Sequence, residues 1–305
     1  MIDFGTTSQR FYADLFEKSV HLRKGAFLQR PYTWPDLDLL LEQMEPAEPF
    51  FRLFGKGPLP PDTYSEEVQE LGLRRRRLIR SRFDALLAEG ATLVLNRLEV
   101  FSPPSRRLCA EVGRFTGQQT TANGYVSFGG EGTFGQHWDV HDVFACQLIG
   151  RKRWRVYPPT LPYPLANHTS DRSPDPCPQS PVLDCTLEPG DLLYIPRGWW
   201  HHATPLDVAS FHVSVATFAP TIMDYVLWAC GRYLPAQQLA RKSLGGGADC
   251  LNEVAAVTQM VAAALLDPNH VAEFMKLVMS RQHPPEESGP GLLSGLVLKP
   301  PVKKP

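Results

Sequence analysis

The chain has no cysteine pair at C-x-x-C spacing. Its six cysteines (Cys109, Cys146, Cys177, Cys185, Cys230 and Cys250) are spread over 305 residues, far thinner than in a secreted disulfide scaffold. Reduced thiols in a cytoplasmic protein are the expectation. No stretch approaches the roughly 18 consecutive apolar residues of a membrane span. The opening "MIDFGTTSQRFYADLF" brings in an aspartate at once and holds no apolar signal core, so no membrane partner is expected. Charge is also missing as a guide. A formal net charge of -1 gives no general attraction for nucleic acid or anionic lipid, and leaves only local patches to read. There is no H-E-x-x-H zinc-hydrolase motif and no internal repeat.

What is present is the composition of a folded globular protein, 43% hydrophobic and 21% charged, with 29 prolines that favour turns over long helices. Four stretches differ in texture. Residues 1–90 read as a helical or mixed N-terminal decoration, with helix starts at "TSQRFYADLFEKS" and "WPDLDLLLEQM" and a short strand in "SVHLRKGAF". Residues 91–220 break into short apolar or alternating runs bounded by Gly, Pro, Asn and Asp, among them "TLVLNRLEVF", "ANGYVSFGG", "DVFACQLIG", "KRWRVYP", "DLLYIP" and "SFHVSVATF". Many closely spaced short strands predict a barrel or sandwich, interrupted by a Pro/Ser-rich loop at 159–186. Residues 221–282 return to helix, as three amphipathic segments suited to a small bundle or an oligomer interface. Residues 283–305 read as a tail. One basic run stands out, Arg74–Arg77 with Arg80 and Arg82 in "LRRRRLIRSR"; a solvated helix face is the plainer reading and a nucleic-acid contact the sharper one.

The chemistry concentrates in "GQHWDVHD", which packs His137, Asp139, His141 and Asp142 into residues 135–142. On a strand, residues i and i+2 face the same side. His137 and Asp139 would then aim an imidazole and a carboxylate at one point, with Trp138 turned away. A distant run, "LEPGDLLYIPRGWWHH", offers a third ligand: a Pro-Gly turn, a strand, and a tight turn at Gly198 that leads to His201. Two histidines and one carboxylate with open positions suit non-haem Fe(II) oxygenase chemistry; catalytic zinc is the competitor.

"GQHWDVHDVFACQLIGRKRWRVYPP", "LEPGDLLYIPRGWWHHA" and "SFHVSVATF" together resemble the JmjC and cupin-like 2-oxoglutarate oxygenases, most closely the ribosomal-oxygenase branch, which hydroxylates protein side chains. The resemblance implies a mainly β fold with helices, in which a double-stranded β-helix (jelly-roll) barrel precedes a C-terminal helical module that dimerises. It implies Fe(II) held by His137, Asp139 and His201, with 2-oxoglutarate as cosubstrate and O2 as oxidant. His202 then falls on the opposite side, and His141 and Asp142 are not ligands. Fifteen positions after the first ligand stands Lys152, the implied partner of the buried distal carboxylate of 2-oxoglutarate. Asn123 and Tyr125, on one side of their strand, are implied contacts of cosubstrate or target. Ser214 stands in for the hydroxyl residue the family often has where Ala216 falls here. Trp199 and Trp200 are candidate apolar walls.

The implied substrate is a side chain in a protein or peptide, ribosomal proteins foremost. Relative to the ribosomal branch, the region after the dimer-like helices is too short for a complete winged-helix domain, a departure that weakens ribosomal targeting and leaves room for a smaller peptide or a metabolite. N-methyl demethylation by the same chemistry and a non-catalytic cupin-like binding module are the alternatives.

Overall fold

The computed structural model describes residues 1–27, 31–129, 132, 134–206, 209–245 and 248–282; the tail expected at 283–305 lies outside them. In chain order the helices are α1 (Ser8–Arg10, running into a π-turn at Phe11–Leu15), α2 (Trp34–Gln43), α3 (Arg80–Ala88), α4 (Leu98–Phe101), α5 (Pro103–Thr116), α6 (Ile222–Tyr233), α7 (Ala248–Leu266) and α8 (Pro268–Gln282). The strands are β1 (His21–Arg23), β2 (Phe51–Phe54), β3 (Pro58–Leu59), β4 (Ser65–Glu70), β5 (Leu73–Leu78), β6 (Thr92–Leu95), β7 (Gln119–Ser127), β8 (Asp142–Ile149), β9 (Lys152–Tyr157), β10 (Leu183–Leu187), β11 (Leu192–Ile195), β12 (Trp200–Pro205) and β13 (Ser210–Phe218). The chain divides into two units, Met1–Ala219 and a second that begins at Pro220.

An eight-stranded sheet ordered β1-β11-β8-β13-β7-β6-β2-β3 and a three-stranded sheet ordered β10-β9-β12 form the jelly roll. The inner strands of the large sheet show why the two periodicities matter. β8 and β13 are covered on both faces: β8 is apolar apart from Asp142 and Gln147, whereas β13 alternates core residues with polar ones. Phe144, Cys146 and Leu148 of β8, with Phe211, Val213 and Val215 of β13, enter the main core beneath the sheet. Val143 and Ala145 turn the other way, into a second cluster with Trp154, Val156, Leu187, Leu193 and Ile195 inside the barrel. The intervening residues of β13, His212, Ser214 and Ala216, line a cavity. One strand therefore builds core and site by alternation alone.

The main core is closed from below by α5, whose Leu108, Cys109 and Val112 are buried at helical spacing. Gly117 ends this helix in the left-handed conformation (φ 65°). Between helix and sheet, Gly124 of β7 lies so close to its neighbours that a Cβ there would come within 2.9 Å of Leu98 and 3.0 Å of Phe211.

Several sequence expectations change. The N-terminal ninety residues are mixed, and their strands β1, β2 and β3 join the large sheet rather than standing apart from it. "TLVLNRLEVF" is not one strand: it turns at Arg97 (φ 53°) from β6 into α4. The basic run is no helix face. Arg74–Arg77 lie in β5, paired with β4 in an isolated hairpin whose turn residues Leu71 and Gly72 both have positive φ, as a tight hairpin turn demands. Cross-strand chemistry favours this pairing over a helix: Arg77 bonds Glu66 at 2.8 Å, Arg74 faces Glu67 at 3.6 Å, and Arg76 pairs with Asp62. Arg74 and Arg77 are thus answered by carboxylates of their own hairpin, and Arg76 by Asp62 in the turn that precedes it.

In the second unit, Thr221 caps α6 through a reciprocal capping box with Asp224 (Asp224 N to Thr221 Oγ1 3.0 Å; Thr221 N to Asp224 Oδ2 2.8 Å). The three helices meet through Phe274, which packs on Tyr225 and Trp228, and through Tyr225 donating to the Leu265 carbonyl at 3.0 Å. No single helix among the described residues is long and apolar enough to cross a membrane; Cys250–Leu266 and Pro268–Ser280 reach that composition only as a pair bent by 64°.

Candidate metal and cosubstrate site

Residues 134–141 are irregular rather than a strand, so the expected strand alternation of "HWD" is replaced by a different support. His137 makes an isolated antiparallel bridge with His201 of β12: His201 N donates to His137 O at 2.7 Å and His137 N to His201 O at 3.1 Å. Two residues on, Gly198 N donates to Asp139 O at 2.9 Å. Gly198 has φ 79°, and a Cβ there would lie 2.8 Å from the Leu161 carbonyl oxygen. Only glycine fits that turn without displacement. Stitched in this way, His137, Asp139 and His201 bring one ligand atom each to within 4.8 Å of one another. Trp138 is turned away, into a buried cluster with Tyr157 and Trp200.

The donor set suits a metal ion. His137 Nδ1 lies 3.3 Å from the Gly135 carbonyl, and His201 Nδ1 lies 3.1 Å from the Trp199 carbonyl. A carbonyl only accepts, so in each ring the proton sits on Nδ1 and the Nε2 lone pair is free to bind. Burial holds the His201 pKa down at about 4, which keeps the ring neutral. The neighbouring histidines hold the Asp139 carboxyl below its ordinary value despite its burial.

The triad opens onto a cavity of about 270 Å³ whose walls include Asn123, Tyr125, Ser214, Ala216, Trp154 and His212. Asn123 Oδ1 accepts from Arg97 N at 3.1 Å. Tyr125 stacks on His212 (4.7 Å, 6°), and burial raises its phenol pKa. Lys152 stands one layer deeper. It is 3% exposed, and its Nζ donates to Ser127 Oγ at 3.2 Å and to His212 Nδ1 at 3.0 Å. Both partners are neutral. Burial alone brings its pKa down to about 7, so the ammonium sits behind the cavity without a carboxylate among these hydrogen-bond partners. Accepting at Nδ1 leaves His212 with its proton on Nε2.

Alternation in β9 separates the basic residues as the sequence suggested. Lys152 and Trp154 are buried inside, whereas Arg153 turns out to Asp184 (2.6 and 2.7 Å). Two expectations are corrected, the tryptophan wall and the side on which His202 falls. Trp199 and Trp200 do not wall the cavity: Trp199 packs against the barrel cluster, and Trp200 donates from Nε1 to Thr160 at 2.9 Å. The wall is Trp154, stacked on His201 (6.1 Å, 25°). Its place two residues after Lys152, on the same face, was a signal available in the sequence. His202, expected on the opposite side, also borders the cavity while its Nδ1 meets Arg155 at 3.1 Å. His141 borders the cavity without joining the triad. Asp142 is buried elsewhere, accepting from Tyr194 and from the backbone of Arg197.

Residues 95–225 match the JmjC domain family. Among curated relatives, ribosomal oxygenase 2 of Rattus norvegicus is 36% identical over 140 residues, 45% of this chain and 30% of the relative. The Caenorhabditis elegans bifunctional lysine-specific demethylase and histidyl-hydroxylase NO66 is 32% identical over 183 residues, 57% of this chain and 24% of the relative. The matched stretch thus spans less than a third of these relatives' length. Among solved structures, the Escherichia coli ribosomal oxygenase YcfD in complex with cobalt and 2-oxoglutarate superposes with a TM-score of 0.61 at 23% identity, over 94% of this chain and 76% of YcfD. Over residues 95–225, less than half of its length, the chain is similar to the JmjC domain family, and the curated relatives it resembles there include ribosomal oxygenases.

Proposed function

We propose that the protein is an Fe(II)- and 2-oxoglutarate-dependent oxygenase that hydroxylates a side chain of a protein or peptide, with ribosomal proteins the leading substrate class. The observation that carries this reading is the pairing of a two-histidine, one-carboxylate triad with a buried lysine behind the same cavity. His137, Asp139 and His201 would hold the iron, which when bound supplies activation of O2 coupled to oxidative decarboxylation of 2-oxoglutarate. Lys152 receives the distal carboxylate, since a buried anion requires a charged partner. Asn123, Tyr125 and Ser214 orient cosubstrate or target from the neighbouring strands. Trp154 and Tyr125 keep water from the reacting centre.

A demethylase reading is supported by the similarity to the bifunctional lysine-specific demethylase and histidyl-hydroxylase NO66; release of formaldehyde instead of retention of one oxygen atom in the product would favour it. The exposed apolar residues of α6 and α7, such as Ile222 (84% exposed), Leu251 and Val254, support a homodimer formed through the C-terminal module. The six free thiols support a reducing, cytoplasmic setting. The carboxylates facing Arg74, Arg76 and Arg77 weigh against that hairpin as a nucleic-acid contact.

Calorimetry in the absence of oxygen tests the cosubstrate pocket. 2-Oxoglutarate should bind only with a divalent metal present. Lys152→Ala should weaken binding roughly 30-fold or more, since removing one partner of a buried charge pair costs about 2–5 kcal/mol. Unchanged affinity in the variant would remove Lys152 from the pocket.

A further inference from the structure

Behind the triad lies a closed ring of four residues that the chemistry above does not use. Glu17 N donates to Tyr194 Oη at 3.1 Å, and Tyr194 Oη donates to Asp142 Oδ2 at 2.9 Å. Arg197 N donates to Asp142 Oδ1 at 2.9 Å, and Arg197 Nε returns to Glu17 Oε1 at 2.6 Å. Asp142 and Tyr194 are 3% and 1% exposed, so water is a poor substitute for either partner. Glu17 is presented by a left-handed backbone (φ 57°). From the ring, the Arg197 guanidinium also reaches the Pro164 carbonyl at 3.2 Å.

The position of this ring is what gives it a role. Asp142 begins β8, three residues after Asp139, and Arg197 immediately precedes Gly198, whose N–H is bonded to the Asp139 carbonyl. The turn that delivers His201 is therefore fixed to the segment that delivers Asp139 at three places: Asp142 to Arg197, Asp139 to Gly198, and His137 to His201. Only the first depends on a side chain, and that side chain is held by the rest of the ring.

We propose that Asp142, locked by Tyr194, Arg197 and Glu17, is a positioning residue that sets the spacing between Asp139 and His201 and so tunes the metal site. This rests on the reading of His137, Asp139 and His201 as metal ligands. Asp142 touches none of them; it acts through the 196–198 turn. A backbone N–H held by a buried carboxylate is a stiffer support than one left to a neutral group or to solvent. Supporting groups around metal ligands typically change metal affinity about 10- to 100-fold when removed.

The test uses Co(II) as a probe under anaerobic conditions on the full chain, with affinity and the visible Co(II) absorption spectrum as readouts and thermal midpoint measured alongside. Asp142→Asn should weaken Co(II) binding on the order of tenfold and change the spectrum. Tyr194→Phe, which keeps the carboxylate but removes its locking hydroxyl, should act in the same direction and serves if the first variant does not fold. Tyr32→Phe is the stability control. Its buried hydroxyl bonds Ser102 and Ser105 away from the triad, so this variant should lower the thermal midpoint while leaving Co(II) affinity and spectrum as they were.

Wild-type affinity and spectrum in Asp142→Asn, or in Tyr194→Phe where only that variant folds, would overturn the proposal. So would an equal change in Tyr32→Phe. Failure of the underlying metal reading looks different: wild-type protein would not bind Co(II), or His137→Ala would bind it as well as wild type.

Discussion

Single side chains would carry the proposed reaction, and their separation by role is testable one at a time. His137→Ala and Asp139→Ala each remove a proposed ligand and should abolish 2-oxoglutarate turnover. His141→Ala should leave much of it, because His141 borders the cavity outside the triad. Equal loss from all three in a succinate assay would contradict the ligand set. Lys152 adds a pH signature. Its folded-state pKa is depressed from 10.5 to about 7, so between these values the folded chain binds fewer protons than the unfolded one. Its burial therefore costs stability at low pH, and that cost is relieved as pH rises from about 7 towards 10.5. Cosubstrate binding runs the other way, since a carboxylate favours the protonated lysine. Affinity for 2-oxoglutarate should fall by up to roughly tenfold per pH unit above about 7, and calorimetry at pH 7, 8 and 9 should find it; a flat profile would remove Lys152 as the anion's partner.

At this scale the sequence was highly legible. Ligand chemistry singled out His137 and Asp139, and the family resemblance added Asn123, Tyr125 and Ser214; all five border one cavity, and their roles there, like that of Lys152, belong to the proposed function. Trp154 stands outside the ligand motif, whereas Trp199 and Trp200 lie beside His201 in the sequence. In the structure these two point away, and the tryptophan sharing a face with Lys152 provides the wall.

Elements are what place those side chains, and β7 is the most constrained of them. It holds Asn123 and Tyr125 towards the cavity while Gly124 lets Leu98 and Phe211 close beneath. Gly124→Ala should destabilise the chain by about 1–3 kcal/mol, the usual cost of overpacking a filled core, as measured by urea unfolding. No loss would mean that α4 and β13 yield more readily than their packing indicates. Elements were also where sequence reading was weakest. "EEVQELGLRRRRL" reads as a charged helix face if only the arginines are weighed, because a run of one charge carries no periodicity. The hairpin is encoded instead by relations across the turn at Leu71-Gly72, where carboxylates on β4 meet arginines on β5. The triad segment taught a related lesson: His137 and Asp139 converge because two backbone bridges tie them to the His201 turn, and such long-range hydrogen bonds leave no local pattern.

For the whole molecule, the strand-rich texture from residue 91 and the helical return after residue 220 correspond to a jelly roll and a three-helix unit, although the large sheet draws further strands from the first sixty residues. If the C-terminal unit forms the proposed homodimer, light scattering should give twice the chain mass, and Leu251→Glu with Val254→Glu should reduce it to one chain; a wild-type monomer at all concentrations would contradict that assembly. The central claim is the oxygenase activity itself. Its most direct test is to reconstitute the protein with Fe(II) and 2-oxoglutarate without oxygen, admit air, and measure succinate with and without a pool of ribosomal-protein peptides. Succinate that rises with peptide, together with a peptide that gains one oxygen atom, is the predicted result. Metal bound at the triad with no succinate under any condition would contradict the account and leave a barrel that binds without turning over.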